Sequence, residues 1–152
     1  MPLTLLLGGA RSGKSALAAR LAGRWDGPVT VVVTGEARDD EMAERIRRHR
    51  AGRPGHWGTV EAPREVEAAL AGAPADAFVV LDCLTLWVSN LLERGLDDRR
   101  VEELARSAAA TAAARPAPTV AVSNEVGAGI VPADALSRRY RDLLGQVNAV
   151  WA

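Results

Sequence analysis

Gly8-Gly9-Ala10-Arg11-Ser12-Gly13-Lys14-Ser15 is the stretch of this sequence whose residue types and spacing most directly imply chemistry. Glycines at 8, 9 and 13 open backbone conformations closed to other residues, so successive N–H groups can turn inward around an anion at the start of a helix. In that setting Lys14 reaches the β- and γ-phosphates of a nucleoside triphosphate, and the Ser15 hydroxyl ligates Mg²⁺. The octet follows the apolar run Leu3 to Leu7 and precedes Leu17, Ala18 and Leu21, which share one helical face. It therefore stands where a phosphate-binding P-loop must stand, between strand and helix. Lys14 is also the sole lysine beside 18 arginines. A compact ammonium enters a tight phosphate cradle where a planar guanidinium does not fit.

A second carboxylate is expected to complete the magnesium shell, and Asp82 ends the apolar run Phe78-Val79-Val80-Leu81. An acidic residue capping a strand is the competing reading; the partner motif favours the metal. Between Asp39 and Pro54, Met42, Ile46 and His49 fall at i, i+4 and i+7, so the histidine points toward the body of the protein. Arg45, Arg48, Arg50 and Arg53 surround it, which suits a di- or triphosphate and disfavours imidazolium. On the residues alone, a satisfied edge histidine beside a solvated arginine face is the stronger alternative. His56, beside Trp57, reads as loop structure. Ser123-Asn124-Glu125-Val126-Gly127 lies at the C-terminal end of a strand, where open α/β sheets place ligands; a buried polar helix cap explains it equally well.

The elements that must position these groups alternate along the chain. Strands are predicted at Leu3 to Leu7, Val29 to Val33, Phe78 to Leu81 and Thr119 to Val122, with a short one near Thr59-Val60. Helices are predicted after the glycine-rich loop and from Asp39 to about Ala51, Arg64 to Ala71, Leu84 to Glu93, Asp97 to Ala114 and Asp134 to about Val150. Gly52 to Pro63, with three glycines and two prolines, is expected to be irregular. This alternation predicts an α/β fold of the P-loop NTPase kind, a mostly parallel sheet flanked by helices in three layers. At 152 residues the chain fits one domain.

Composition narrows the function. Nineteen basic residues balance 19 acidic ones, and aromatics make up 4% of the chain, which argues against a nucleic-acid motor or an anionic membrane partner. Cys83 is the single cysteine, so no internal disulfide or cysteine-clustered zinc site can form, and a cytoplasmic location is expected. The apolar start ends at Gly8, too short for a membrane span.

With these residues in place, the chain resembles the bifunctional adenosylcobinamide kinase/adenosylcobinamide-phosphate guanylyltransferase family of cobalamin biosynthesis. The P-loop octet carries part of the resemblance. Asp39-Asp40-Glu41-Met42, Arg45-Ile46, His49, Arg53-Pro54 and Trp57 carry more, with Asp82-Cys83-Leu84-Thr85 and Asn90-Leu91-Leu92. Ser123 to Gly127 and Gly129-Ile130-Val131-Pro132 complete it. The resemblance implies that one site phosphorylates adenosylcobinamide with ATP or GTP and then attaches GMP from GTP through a guanylyl-histidine intermediate. It puts the nucleophile at His49, with Arg48 before it where some members carry adjacent histidines. It implies nucleotide contacts at Gly8 to Ser15, Thr34, Gly35, Glu36, Arg50, Arg53, Glu61 and Asp82, and a homo-oligomer, trimeric in similar proteins. Such enzymes continue into a final hydrophobic strand, whereas this sequence stops at Trp151-Ala152, so that strand is expected to be missing. The alternatives to this reading are a P-loop kinase of another small alcohol and a non-catalytic nucleotide-binding module.

Overall fold

The computed structural model describes residues 3–9, 12–125 and 134–152. Its five strands are β1 (Leu3–Gly8), β2 (Val29–Val33), β3 (Gly58–Glu61), β4 (Phe78–Asp82) and β5 (Thr119–Asn124). They pair in parallel in the order β1-β5-β4-β2-β3. The helices are α1 (Lys14–Gly23), α2 (Asp40–Ala51), α3 (Val66–Gly72), α4 (Leu84–Glu93), α5 (Asp98–Ala114) and α6 (Ala135–Trp151). Parallel pairing requires a crossover between neighbours and leaves both faces of the sheet to be covered. Strands buried on both faces read as continuous apolar runs, which is why β2 and β4 stand out so plainly in the sequence.

Side chains alternate across the sheet and build a core on each face. Val32, Val79, Leu81 and Ala121 pack with α3, α4, α5 and α6. Val31, Phe78, Val80 and Val120 pack on the other face against Ala18 and Ala22 of α1. The result is the three-layer α/β/α arrangement that the alternation predicted. In α5 the buried residues Val101, Ala105, Ala108 and Ala112 recur at helical spacing, and their small side chains let the helix lie close to its neighbours. Trp87, fully buried in the larger core, donates its indole N–H to the Arg64 carbonyl at 2.9 Å.

Three helix starts are fixed the same way. The side chains of Asp39, Asp97 and Asp134 accept from the backbone N–H of Met42, Arg100 and Ser137 at 2.7, 2.8 and 2.8 Å. Each satisfies an N–H that has no partner inside the helix. The helix expected from Arg64 instead begins at Val66. Arg64 is drawn off by other partners: its guanidinium donates to Glu36 at 2.9 Å while its carbonyl receives Trp87. Among the described residues no helix is long and apolar enough to cross a membrane.

Candidate active site

The C-terminal ends of β1, β2, β4 and β5 open toward one side of the sheet, and the chain leaving each supplies a wall of the same hollow. Gly13 sits at the N-cap of α1 with φ 84° and ψ 10°, a left-handed conformation that costs glycine little and other residues more. A side chain at Gly8 would place its Cβ 2.7 Å from Ser12 Oγ and 3.3 Å from Ser12 Cβ, so the Ser12 side chain would have to shift to admit one. Lys14 folds back and donates to the Gly9 carbonyl at 2.8 Å. The first turn of α1 carries no acidic residue to oppose an anion.

A cavity of about 540 Å³ lies against this turn, within the range of small-molecule sites. Ser12, Gly13, Lys14 and Ser15 form one wall, and Asp82, Cys83 and Thr85 form the floor. The third wall is α2. Met42, Ile46 and His49 face inward as their spacing predicts, but they meet the cavity and not the core, and α2 has no fully buried residue. Arg45, Arg50 and Arg53 stand on the same wall, so three guanidiniums and an ammonium share a hollow with two carboxylates, Asp82 and Glu61.

Asp82 is the electrostatic hub. Its Oδ2 lies 3.6 Å from an Arg53 nitrogen and 3.8 Å from His49 Nδ1, within ion-pair reach of both and too far for a tight hydrogen bond. Asp82 and Arg53 expose only 17% and 14% of their side chains, whereas His49 exposes 56%. The histidine therefore remains accessible while one of its ring nitrogens faces a carboxylate. Burial lowers the Arg53 pKa, Asp82 opposes that shift, and the neighbouring Arg50 adds to it. The Cys83 thiol is pushed up, first by burial and then by the charge of Asp82, and so is held in its neutral form.

Not every expected residue reaches this hollow. Gly35, Arg50, Arg53, Glu61 and Asp82 line it with Ser12 to Ser15. Thr34 is fully buried behind the floor, and Glu36 is turned to Arg64 at 2.9 Å and Arg38 at 3.3 Å. Ala10 and Arg11 lie outside the described residues, as do Val126, Gly127 and Gly129 to Pro132. The Ser123 segment splits, and Ser123 caps no helix. Ser123 is fully buried and donates to Asn148 of α6 at 2.6 Å, a structural bond, whereas Asn124 lines the cavity. Cys83 and Thr85 are wall residues that only adjacency to Asp82 marks in the sequence.

A hard cation fits this donor set. Magnesium takes oxygen ligands and is bound through one or two protein groups together with substrate phosphates. The Ser15 hydroxyl and the Asp82 carboxylate are oxygens facing the same cavity beside a phosphate-binding turn.

Residues 4–152 match the family described as cobinamide kinase / cobinamide phosphate guanyltransferase. The chain belongs to this family. Cobinamide kinase and cobinamide phosphate guanyltransferase activities are accordingly its activities, with cobinamide and nucleotides as substrates. It is 45% identical over 145 residues to the bifunctional adenosylcobalamin biosynthesis protein CobP of Pseudomonas aeruginosa, covering 95% of this chain and 83% of the relative. It is 40% identical to the bifunctional adenosylcobalamin biosynthesis proteins CobU of Salmonella typhimurium and Escherichia coli, in each case over 96% of this chain and 87% of the relative. A cobinamide kinase and guanyltransferase must handle both ends of a triphosphate, and a single hollow with a P-loop on one wall and a histidine on another suits that requirement.

Proposed function

We propose that both reactions run in this one cavity, the second through a covalent guanylyl-His49 intermediate. The observation that carries the reading is that His49, exposed and facing Asp82 at 3.8 Å, opens onto the same hollow as Lys14 and Ser15. In the kinase step the hydroxyl oxygen of adenosylcobinamide attacks the γ-phosphorus of ATP or GTP. An O–P bond forms, the bond to the β-bridging oxygen breaks, the nucleoside diphosphate leaves, and the hydroxyl proton passes to solvent. The glycine-rich turn Gly8 to Ser15 and Lys14 hold the phosphates, since phosphoryl transfer depends chiefly on positioning and charge stabilisation.

In the second step an imidazole nitrogen of His49 attacks the α-phosphorus of GTP. An N–P bond forms, the α–β bridging bond breaks, and pyrophosphate leaves, with the ring proton passing to solvent. A phosphate oxygen of adenosylcobinamide phosphate then displaces the histidine as the ring takes a proton back from solvent, giving adenosylcobinamide-GDP and freeing the neutral ring for another cycle. Asp82 supports the positive charge that the ring carries as the N–P bond forms, and Arg50 and Arg53 match the charge of the phosphates. Mg²⁺, held by Ser15 and Asp82, would neutralise developing phosphate charge. Gly35 and Glu61 are assigned to the nucleotide on the same grounds, their place in the cavity lining. A cytoplasmic location and a homo-oligomeric assembly complete the reading; the free Cys83 supports the first, and resemblance supports the second.

The test is intact-protein mass after incubation with GTP and Mg²⁺. The wild-type chain gains one acid-labile GMP, and the His49→Ala variant gains none. A folded, GTP-binding wild-type chain that gains nothing overturns the histidine assignment.

A further inference from the structure

We propose that Thr34 is a positioning residue for the reaction, one that fixes the backbone carrying Asp82 and does not touch the nucleotide. β2 and β4 run side by side with Val33 opposite Asp82, and the Thr34 N–H donates to the Asp82 carbonyl at 3.1 Å. Beyond that point the two chains separate. There the Thr34 hydroxyl takes over from the ladder, donating to the Cys83 carbonyl at 2.7 Å and accepting from the Cys83 N–H at 2.9 Å. Cys83 is extended, with φ −144° and ψ 164°, so its N–H and C=O point to the same side and one hydroxyl can bind both. Both hydrogen-bonding capacities of Thr34 are thereby directed at a single residue next to Asp82, and the side chain is fully buried.

Thr34 is itself held from behind. The buried Asn90 donates its amide to the Thr34 carbonyl at 2.8 Å and to the Pro63 carbonyl at 2.9 Å. The Asn90 oxygen accepts from Arg38 at 3.1 Å, and Arg38 in turn pairs with Glu36 and Glu93. Every polar group in this chain of contacts is satisfied, so the hydroxyl of Thr34 is a fixed point and not a freely rotating one. What it fixes is the exit of β4, and with it the direction in which the Asp82 carboxylate faces Arg53 and His49. A displacement of about 1 Å at a reacting group can cost on the order of a hundredfold in rate, which is the scale on which a lost staple would be felt.

The inference rests on the reading of Asp82 as a group that serves catalysis, so the experiment includes Asp82→Asn as its own control. Thr34→Val keeps the shape and removes the hydroxyl; Thr34→Ser keeps the hydroxyl. GTP affinity, kcat and KM for kinase turnover, and the rate of GMP transfer are measured for each. Thr34→Val is expected to bind GTP within about threefold of wild type while both rates fall tenfold or more, and Thr34→Ser is expected to recover most of that loss. Thr34→Ala removes the same hydroxyl and is read in its place where the valine variant does not fold. Unchanged rates in either hydroxyl-free variant, with Asp82→Asn impaired, overturn the proposal while leaving the reading of Asp82 intact. A loss confined to GTP affinity overturns it as well, by making Thr34 a nucleotide contact. An Asp82→Asn variant with wild-type rates instead removes the reading of Asp82.

Discussion

The Oδ2 atom of Asp82 lies 3.8 Å from Nδ1 of His49, so the end of a buried strand and the cavity-facing side of a helix meet at one carboxylate oxygen. Arg53 approaches that same oxygen at 3.6 Å. A carboxylate shared in this way stabilises positive charge on the ring as the histidine attacks phosphorus and keeps the arginine aimed into the cavity. Asp82→Asn retains size and an acceptor oxygen but removes the charge. GMP labelling of the protein is expected to slow by about a hundredfold, the range found when one preorganised electrostatic partner is removed. Labelling at the wild-type rate would dismiss this role for Asp82.

Lys14 predicts a different pattern. Its ammonium bonds the Gly9 carbonyl in an exposed setting, a contact that contributes little to the fold. Lys14→Met is therefore expected to melt within a few degrees of wild type while kinase turnover and GMP labelling both fall by about 10² to 10³. Loss of one activity alone would separate the two reactions and contradict a shared phosphate site.

The sequence was most legible where one residue type could serve only one purpose. The run Phe78 to Leu81 could be buried only as a strand covered on both faces, and Asp39, Asp97 and Asp134 stand immediately before apolar periodicity as helix caps do. The α2 face was half legible. The spacing of Met42, Ile46 and His49 told which way the histidine points, but a periodic pattern has no means of distinguishing a core from a cavity wall, since both select inward-facing side chains. Glu36 was out of reach for another reason. Its partner Arg64, 28 residues on, depends on how the β2 and β3 exits are placed, a tertiary relation with no local signature. The split between Ser123 and Asn124 turns on strand parity, which sends one side chain to α6 and the next to the cavity.

Arg115 offers a test of stability away from the site. It is buried, and its guanidinium donates to the carbonyls of Leu70 at 3.0 Å, Pro74 at 3.0 Å and Ala77 at 2.6 Å, gathering the carbonyl groups where α3 ends and β4 begins. Replacement by methionine fills similar space but removes the guanidinium from all three carbonyls, of which Pro74 keeps the Ala77 N–H at 2.9 Å. A cost of about 2 to 4 kcal/mol follows from the usual penalty for unsatisfied buried groups. For a domain of this size that lowers Tm by roughly 5 to 15 °C. GTP affinity below the transition is expected to stay within about twofold. An unshifted melt in the methionine variant would show that water replaces the guanidinium.

Tyr140 of α6 is the only tyrosine, so its ionisation can be followed alone by phenolate absorbance. Its hydroxyl donates to the Thr85 carbonyl at 3.0 Å. Burial, and secondarily the nearby Cys83, push its pKa from the ordinary 10.0 up to about 12. The folded chain therefore keeps this proton when the unfolded chain has begun to lose it. The associated stability is fully present below about pH 10 and is lost as pH rises toward 12. Absorbance and circular dichroism recorded together are expected to show little phenolate at pH 10 in the folded protein, with ionisation rising alongside unfolding above it. Tyr140→Phe removes this titration and is expected to flatten the alkaline limb of the stability curve, at a cost of about 1 kcal/mol near neutral pH for the lost hydrogen bond. Half-ionisation at pH 10 in a protein whose dichroism is still native would contradict the buried setting of Tyr140, and with it the anchoring of α6 to the first turn of α4.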